Sequence, residues 1–174
     1  MGGVNAGEGK QLLHFAAIRI MIDLKNKPVI LLVEDDAFDV ELIQSGMRRT
    51  PGEINLVRVE DGDKAVDYLT GVPPYDDRQA YPVPMTMVLD IKLPKRSGLE
   101  VLQWLRTQSG PIKRLPTLIL TSSKHQVDIN QAFERGANAY LTKPDSIKEL
   151  TVLMGEFKSF WLRHVELPDV ANSK

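Results

Sequence analysis

The stretch "PVILLVEDD", Pro28 to Asp36, sets an unbroken run of apolar, mostly branched residues directly against three carboxylates, Glu34, Asp35 and Asp36. A short run without polar alternation is the pattern of a strand buried on both faces, as in a parallel sheet covered by helices. Four further runs read the same way: "INLVRV" (Ile54–Val59), "MTMVL" (Met85–Leu89), "PTLIL" (Pro116–Leu120) and "AYL" (Ala139–Leu141). Helical spacing occupies Ala37–Thr50, Lys64–Leu69, Leu99–Thr107 and Val127–Arg135, and a long amphipathic segment, Ile147–Arg163, follows the last strand. Strands alternating with helices five times predict an α/β, doubly wound parallel sheet with right-handed connections. The loop "GVPPYDDRQAYPVP", Gly71 to Pro84, has four prolines and two tyrosines and is long for a helix-to-strand connection.

Composition narrows the function classes. The 174 residues fit one domain, and a net charge of −1 argues against a nucleic-acid or anionic-membrane partner. With no cysteine there is neither a disulfide scaffold nor a thiolate metal site, which suits a cytoplasmic setting. The segment "KQLLHFAAIRIMIDLKNK" is interrupted by Arg19 and Asp23, too short and too charged for a membrane span and a poor signal peptide. The expected organisation is an extension over residues 1–26, flexible or helical, a domain over 27–164 and a tail over 165–174.

Ligands of doubly wound sheets bind at the carboxyl ends of the strands. There the first strand delivers Glu34, Asp35 and Asp36, the third Asp90, the fourth Thr121 and the fifth Lys143. If strands one and three are neighbours, their carboxylates converge and repel one another; a hard divalent cation, best described as Mg²⁺, resolves the conflict. Singly, each residue reads as an ordinary solvated loop acid, cap or turn. In conjunction, acid pair, acid, hydroxyl and ammonium fall in order on successive strand ends.

The combination "ILLVEDD", "LDIKLPKRSG", "ILTSS" and "AYLTKP" resembles the receiver domains of two-component response regulators, over essentially Pro28 to Arg163. The resemblance implies a flavodoxin-like fold with strand order 2-1-3-4-5, and phosphorylation of an aspartate by a phosphohistidine on a sensor histidine kinase. Carried over residue by residue, Asp90 is the phosphoacceptor. Mg²⁺ is held by Asp35, by Glu34 largely through water, by Asp90, and by the backbone carbonyl of Lys92. Thr121 and Lys143 bind phosphoryl oxygens, and Tyr140 is the aromatic residue that moves with Thr121. The Lys92 and Ser123 side chains are placed to tune phosphoryl lifetime, while Asp36 reads better as a solvated helix start than as an accessory metal acid. The charge logic agrees: an aspartate attacking a phosphoryl group needs cations to offset anion–anion repulsion.

The Pro/Tyr loop and the ending "FKSFWLRHVELP" further resemble regulators that pair with bacterial phytochrome kinases. That subgroup implies a homodimer through the last strand, last helix and tail, burying Phe160, Trp161 and Val165–Pro168 on the side of Tyr140. No helix-turn-helix, zinc module or basic patch is present, so the expected output is protein–protein contact or an onward phosphorelay by a stand-alone regulator. A turnover enzyme is not expected. A haloacid-dehalogenase-type phosphatase would need an acid where Lys92 stands, and no G-x-G-x-x-G follows the first strand. The remaining alternative is a receiver-fold binding module that acts without phosphorylation.

Overall fold

The structure, a computed structural model, describes residues 27–171, so the expected extension at 1–26 lies outside the described residues. Five strands, β1 (Val29–Val33), β2 (Asn55–Val59), β3 (Thr86–Leu89), β4 (Thr117–Thr121) and β5 (Ala139–Thr142), form one sheet in the order β2-β1-β3-β4-β5. Every pairing is parallel. The connecting helices are α1 (Ala37–Arg49), α2 (Gly62–Thr70), α3 (Gly98–Thr107) and α4 (Gln126–Glu134), with α5 (Ile147–His164) last. This is the doubly wound parallel sheet that the apolar runs predict, in the flavodoxin-like order that the resemblance implies.

Strand alternation sorts the core onto two faces. Leu31, Val33, Met87, Leu89 and Ile119 pack with Tyr68 and Leu69 of α2, Leu102 and Leu105 of α3 and Ala132 of α4. Ile30, Leu32, Val88, Leu118 and Leu120 pack with Val40, Ile43 and Met47 of α1 and Leu150, Met154 and Phe157 of α5. α1 and α5 approach closely at Gly46, where a Cβ would lie 2.3 Å from the carbonyl oxygen of Thr151. The same seam buries Lys158, whose ammonium donates to the carbonyls of Met47 (2.8 Å), Thr50 (2.7 Å) and Gly52 (2.5 Å), closing the C-terminus of α1.

The Gly71–Pro84 connection is packed against α2. Tyr75 and Tyr81 stand edge-on to each other with centroids 5.2 Å apart, and both contact Tyr68. Arg78 donates to the carbonyls of Tyr68, Leu69 and Tyr81, satisfying the last turn of α2 that no intrahelical amide reaches.

The C-terminal region departs from the expected placement of Phe160, Trp161 and Tyr140 on one side of the domain. Trp161 lies edge-to-face on Phe157, 5.7 Å between centroids, and is partly buried on the α1–α5 face. Phe160 is 58% exposed. Beyond α5 the chain turns under the sheet: Arg114 holds the carbonyl of Asp169 at 2.8 Å, and Val170 is buried among the α2–α4-face residues. Tyr140 packs on that face too, so Tyr140 and Trp161 sit on opposite faces of the sheet rather than on one side. The reason is strand alternation: Ala139 and Leu141 face α5, which turns the intervening residue away from it.

Candidate functional site

The strand order makes β1 and β3 neighbours, so the residues just past Val33 and Leu89 come together. Glu34 (1% exposed) and Asp90 (7% exposed) are buried there and Asp35 is exposed beside them. Carboxylate oxygens of Glu34, Asp35 and Asp90 all lie within 4.8 Å of one another. Three oxygen donors at that spacing suit one hard divalent cation that keeps several waters. No sulfur or imidazole is in the set, which disfavours a softer metal.

Lys143, just past β5, balances these acids. Its ammonium donates to Glu34 Oε2 at 2.6 Å, to Asp90 Oδ2 at 2.8 Å and to Asp39 Oδ2 at 2.8 Å. Its backbone N–H donates to the carbonyl of Thr121 at 2.7 Å, joining the ends of β4 and β5. Burial alone would lower the lysine pKa, but the hydrogen bonds to Asp39, Asp90 and Glu34 outweigh it and hold the group above its ordinary range. Burial pushes the Glu34 carboxyl up to about 7, with Lys143 offsetting only part of the rise.

Local structure fixes each group. Asp36 is the N-cap of α1, accepting from the amides of Phe38 (2.8 Å) and Asp39 (3.1 Å), as expected for a helix start. Arg58 of β2 donates to the carbonyls of Glu34 and Asp35 and so pins the β1–α1 turn. Past β3, the amide of Lys92 donates to Asp90 Oδ1 at 3.2 Å, which sets the Lys92 peptide against the carboxylate. Gly98 is needed next to it, since a Cβ there would lie 1.9 Å from the carbonyl oxygen of Asp90. Lys95 has a left-handed φ of 61°, unusual for a lysine, and its ammonium is tied to buried Asp61 at 2.7 Å. Asp61 also caps α2 through the amide of Lys64, so one acid joins the β3–α3 loop to a helix start.

The other expected site residues form a second group. Thr121 is fully buried at the end of β4, and its hydroxyl accepts weakly from the Ser123 amide at 3.5 Å. The Tyr140 hydroxyl donates to the Ser123 carbonyl at 3.0 Å, and the Ser123 hydroxyl bonds Asp128 in the first turn of α4. The structure therefore brings Glu34, Asp35, Asp90 and Lys143 together directly. It places Thr121, Ser123 and Tyr140 as an adjoining chain on the β4–α4 side. Sequence reasoning missed Asp39 and the Asp61–Lys95 pair. The signal for Asp39 was its place in the first turn of α1, three residues past Asp36, a spacing that returns a side chain to the same face of the helix.

Among the described residues no helix is long and apolar enough to cross a membrane. The family model for the response regulator receiver domain matches residues 30–154. Response regulator Rcp1 of Synechocystis sp. is 36% identical over 149 residues, covering 85% of this chain and 99% of Rcp1. The crystal structure of the Mn²⁺-bound form of Rcp1 superposes with a TM-score of 0.74 at 35% identity, covering 81% of this chain and 99% of that one. The phosphorylated cyanobacterial phytochrome response regulator RcpA gives a TM-score of 0.77 at 31% identity, covering 82% of this chain and 99% of its own. With its sheet order, its acid–lysine centre and these likenesses, the chain belongs to the response regulator receiver domain family, a family of two-component signalling proteins rather than turnover enzymes.

Proposed function

We propose that this receiver accepts a phosphoryl group onto Asp90 from the phosphohistidine of a sensor histidine kinase, with Mg²⁺ held by Glu34, Asp35, Asp90 and the Lys92 carbonyl. The observation that carries the reading is the buried lysine–carboxylate centre, in which Lys143 contacts Asp90 at 2.8 Å beside a three-acid cluster. An Asp90 oxygen attacks phosphorus, the P–N bond to the kinase histidine breaks, and that nitrogen takes up a proton. When bound, Mg²⁺ supplies charge neutralisation for the transferring oxygens. Lys143 supplies charge-assisted hydrogen bonds to the same group, and the Thr121 hydroxyl takes another oxygen. Movement of Thr121 is passed on through Ser123 to Tyr140, which already shares a hydrogen-bonded chain with it. The Ser123 hydroxyl is engaged by Asp128, so tuning of phosphoryl lifetime falls mainly to Lys92.

Beryllium fluoride with Mg²⁺ tests the site. A bound ¹⁹F resonance on the wild type that Asp90→Asn removes supports the reading; no bound signal on the wild type contradicts it. A binding module that acts without phosphorylation is the less favoured alternative, since all the charged groups of the reaction are present and assembled.

The output is altered protein–protein contact or an onward relay. The likeness to RcpA, a phytochrome response regulator, supports a bacteriophytochrome-type kinase as partner. Light-dependent phosphotransfer from such a kinase checks this. A homodimer through β5, α5 and the tail is supported by Phe160 and Val152, both exposed on α5. Sedimentation at micromolar concentration decides it, a wild-type monomer counting against the dimer.

A further inference from the structure

Lys143 has three N–H donors, and each meets a different carboxylate: Glu34, Asp39 and Asp90. Two of these acceptors, Glu34 and Asp90, also belong to the trio whose oxygens lie close enough for one cation, whereas Asp39 does not. A dication on that trio therefore competes with the ammonium for Glu34 and Asp90 and repels it as well. Asp39 is the lysine partner that the dication leaves alone.

From this arrangement we infer that Asp39 is a positioning residue: it keeps Lys143 at the strand ends once Mg²⁺ has claimed Glu34 and Asp90, with the freed ammonium donors facing the arriving phosphoryl oxygens. The placement of Asp39 is built rather than incidental. Its own amide is held by the Asp36 cap at 3.1 Å, which fixes the backbone carrying the carboxylate in the first turn of α1. Its side chain is 26% exposed, so it desolvates less than Glu34 and remains a ready acceptor when the lysine shifts. The competing role, a first-turn acid that merely stabilises α1, needs no contact with Lys143.

This inference rests on the reading of Asp90 as phosphoacceptor, so one arm of the test is independent of phosphorylation. In the full chain loaded with Mg²⁺ and no phosphodonor, the Lys143 side-chain NMR resonances should stay distinct from bulk lysine in wild type and Asp39→Asn, which keeps an acceptor oxygen. They should collapse toward bulk in Asp39→Ala. With acetyl phosphate, Asp39→Ala should be phosphorylated about tenfold more slowly, the loss of one charge-assisted contact, and Asp39→Asn should recover to within about threefold. Mg²⁺ affinity by calorimetry should change less than about threefold in both variants, because Asp39 lies outside the metal trio. A distinct Lys143 signal in Asp39→Ala overturns the inference, as does an Asp39→Asn variant as slow as Asp39→Ala. A fall in Mg²⁺ affinity matching the fall in rate makes Asp39 a metal acid and overturns it too. If the wild type takes no phosphoryl group, the phosphoacceptor reading fails, and the NMR arm still decides whether Asp39 holds the lysine.

Discussion

Lys143, one residue past β5, reaches Asp90, one residue past β3, over 2.8 Å, and so spans the end of β4 that lies between them. This contact makes the positive charge of the site structural as well as chemical. Without metal, one ammonium is the shared counter-ion of three carboxylates, two of them buried.

Removing that ammonium should destabilise the metal-free protein. In Lys143→Met, Glu34, Asp39 and Asp90 face one another without a cation, at a cost of about 3 kcal/mol by analogy with broken buried ion pairs. Added Mg²⁺ should recover much of it. Urea unfolding with and without Mg²⁺ checks this, and a variant as stable as wild type in the absence of metal would contradict it. Phosphorylation of Lys143→Ala should be slow, with partner binding no longer responding.

Asp35 should behave oppositely. It is exposed and makes no contact with Lys143, so Asp35→Ala should leave stability within about 0.5 kcal/mol of wild type. Mg²⁺ binding and phosphorylation should be lost with it, as calorimetry and mass measurement will read. Marked destabilisation, or undiminished phosphorylation, would show that Asp35 is misassigned.

The high pKa of Glu34 gives a pH dependence with a defined sign. Its folded value, about 7, stands above the ordinary 4.5, so the folded protein holds a proton that the unfolded chain releases between those values. The stability linked to that proton is fully present below 4.5 and is lost as pH rises through about 7. A metal competes with the same proton, so Mg²⁺ affinity should fall by up to tenfold per pH unit below about pH 7. Calorimetry from pH 6 to 8 should also show proton release on binding. A flat affinity over that range would remove Glu34 from the metal site.

What the sequence disclosed and what it hid follow from the range of the interactions. The strands were legible because buried parallel strands carry continuous apolar runs, and Glu34, Asp35, Asp90, Thr121 and Lys143 were legible because each directly ends or follows one. Helix α2 starts at Gly62 rather than Lys64, since Asp61 caps it while also bonding Lys95 from a loop 34 residues away. The Lys143–Asp39 contact spans 104 residues and the docking of Val170 joins the chain end to the α2–α4 face. Neither leaves a periodic trace. Nothing in the amphipathic pattern of Ile147–Arg163 marks Lys158, because the carbonyls that surround it belong to the end of α1 and the turn after it.

Lys158 accordingly yields a stability prediction remote from the site. Lys158→Met would leave the carbonyls of Met47, Thr50 and Gly52 without their shared donor, costing about 2–3 kcal/mol in denaturant unfolding. Phosphorylation of the variant should proceed at the wild-type rate below its unfolding temperature. Wild-type stability would show that water replaces the ammonium at no cost.

Whether Asp90 carries the phosphoryl group is read from intact mass after incubation with acetyl phosphate and Mg²⁺. One added phosphoryl group is expected on the wild type, lost when EDTA replaces Mg²⁺ and absent from Asp90→Asn. An unmodified wild type, or an Asp90→Asn variant modified to the same extent, would contradict it.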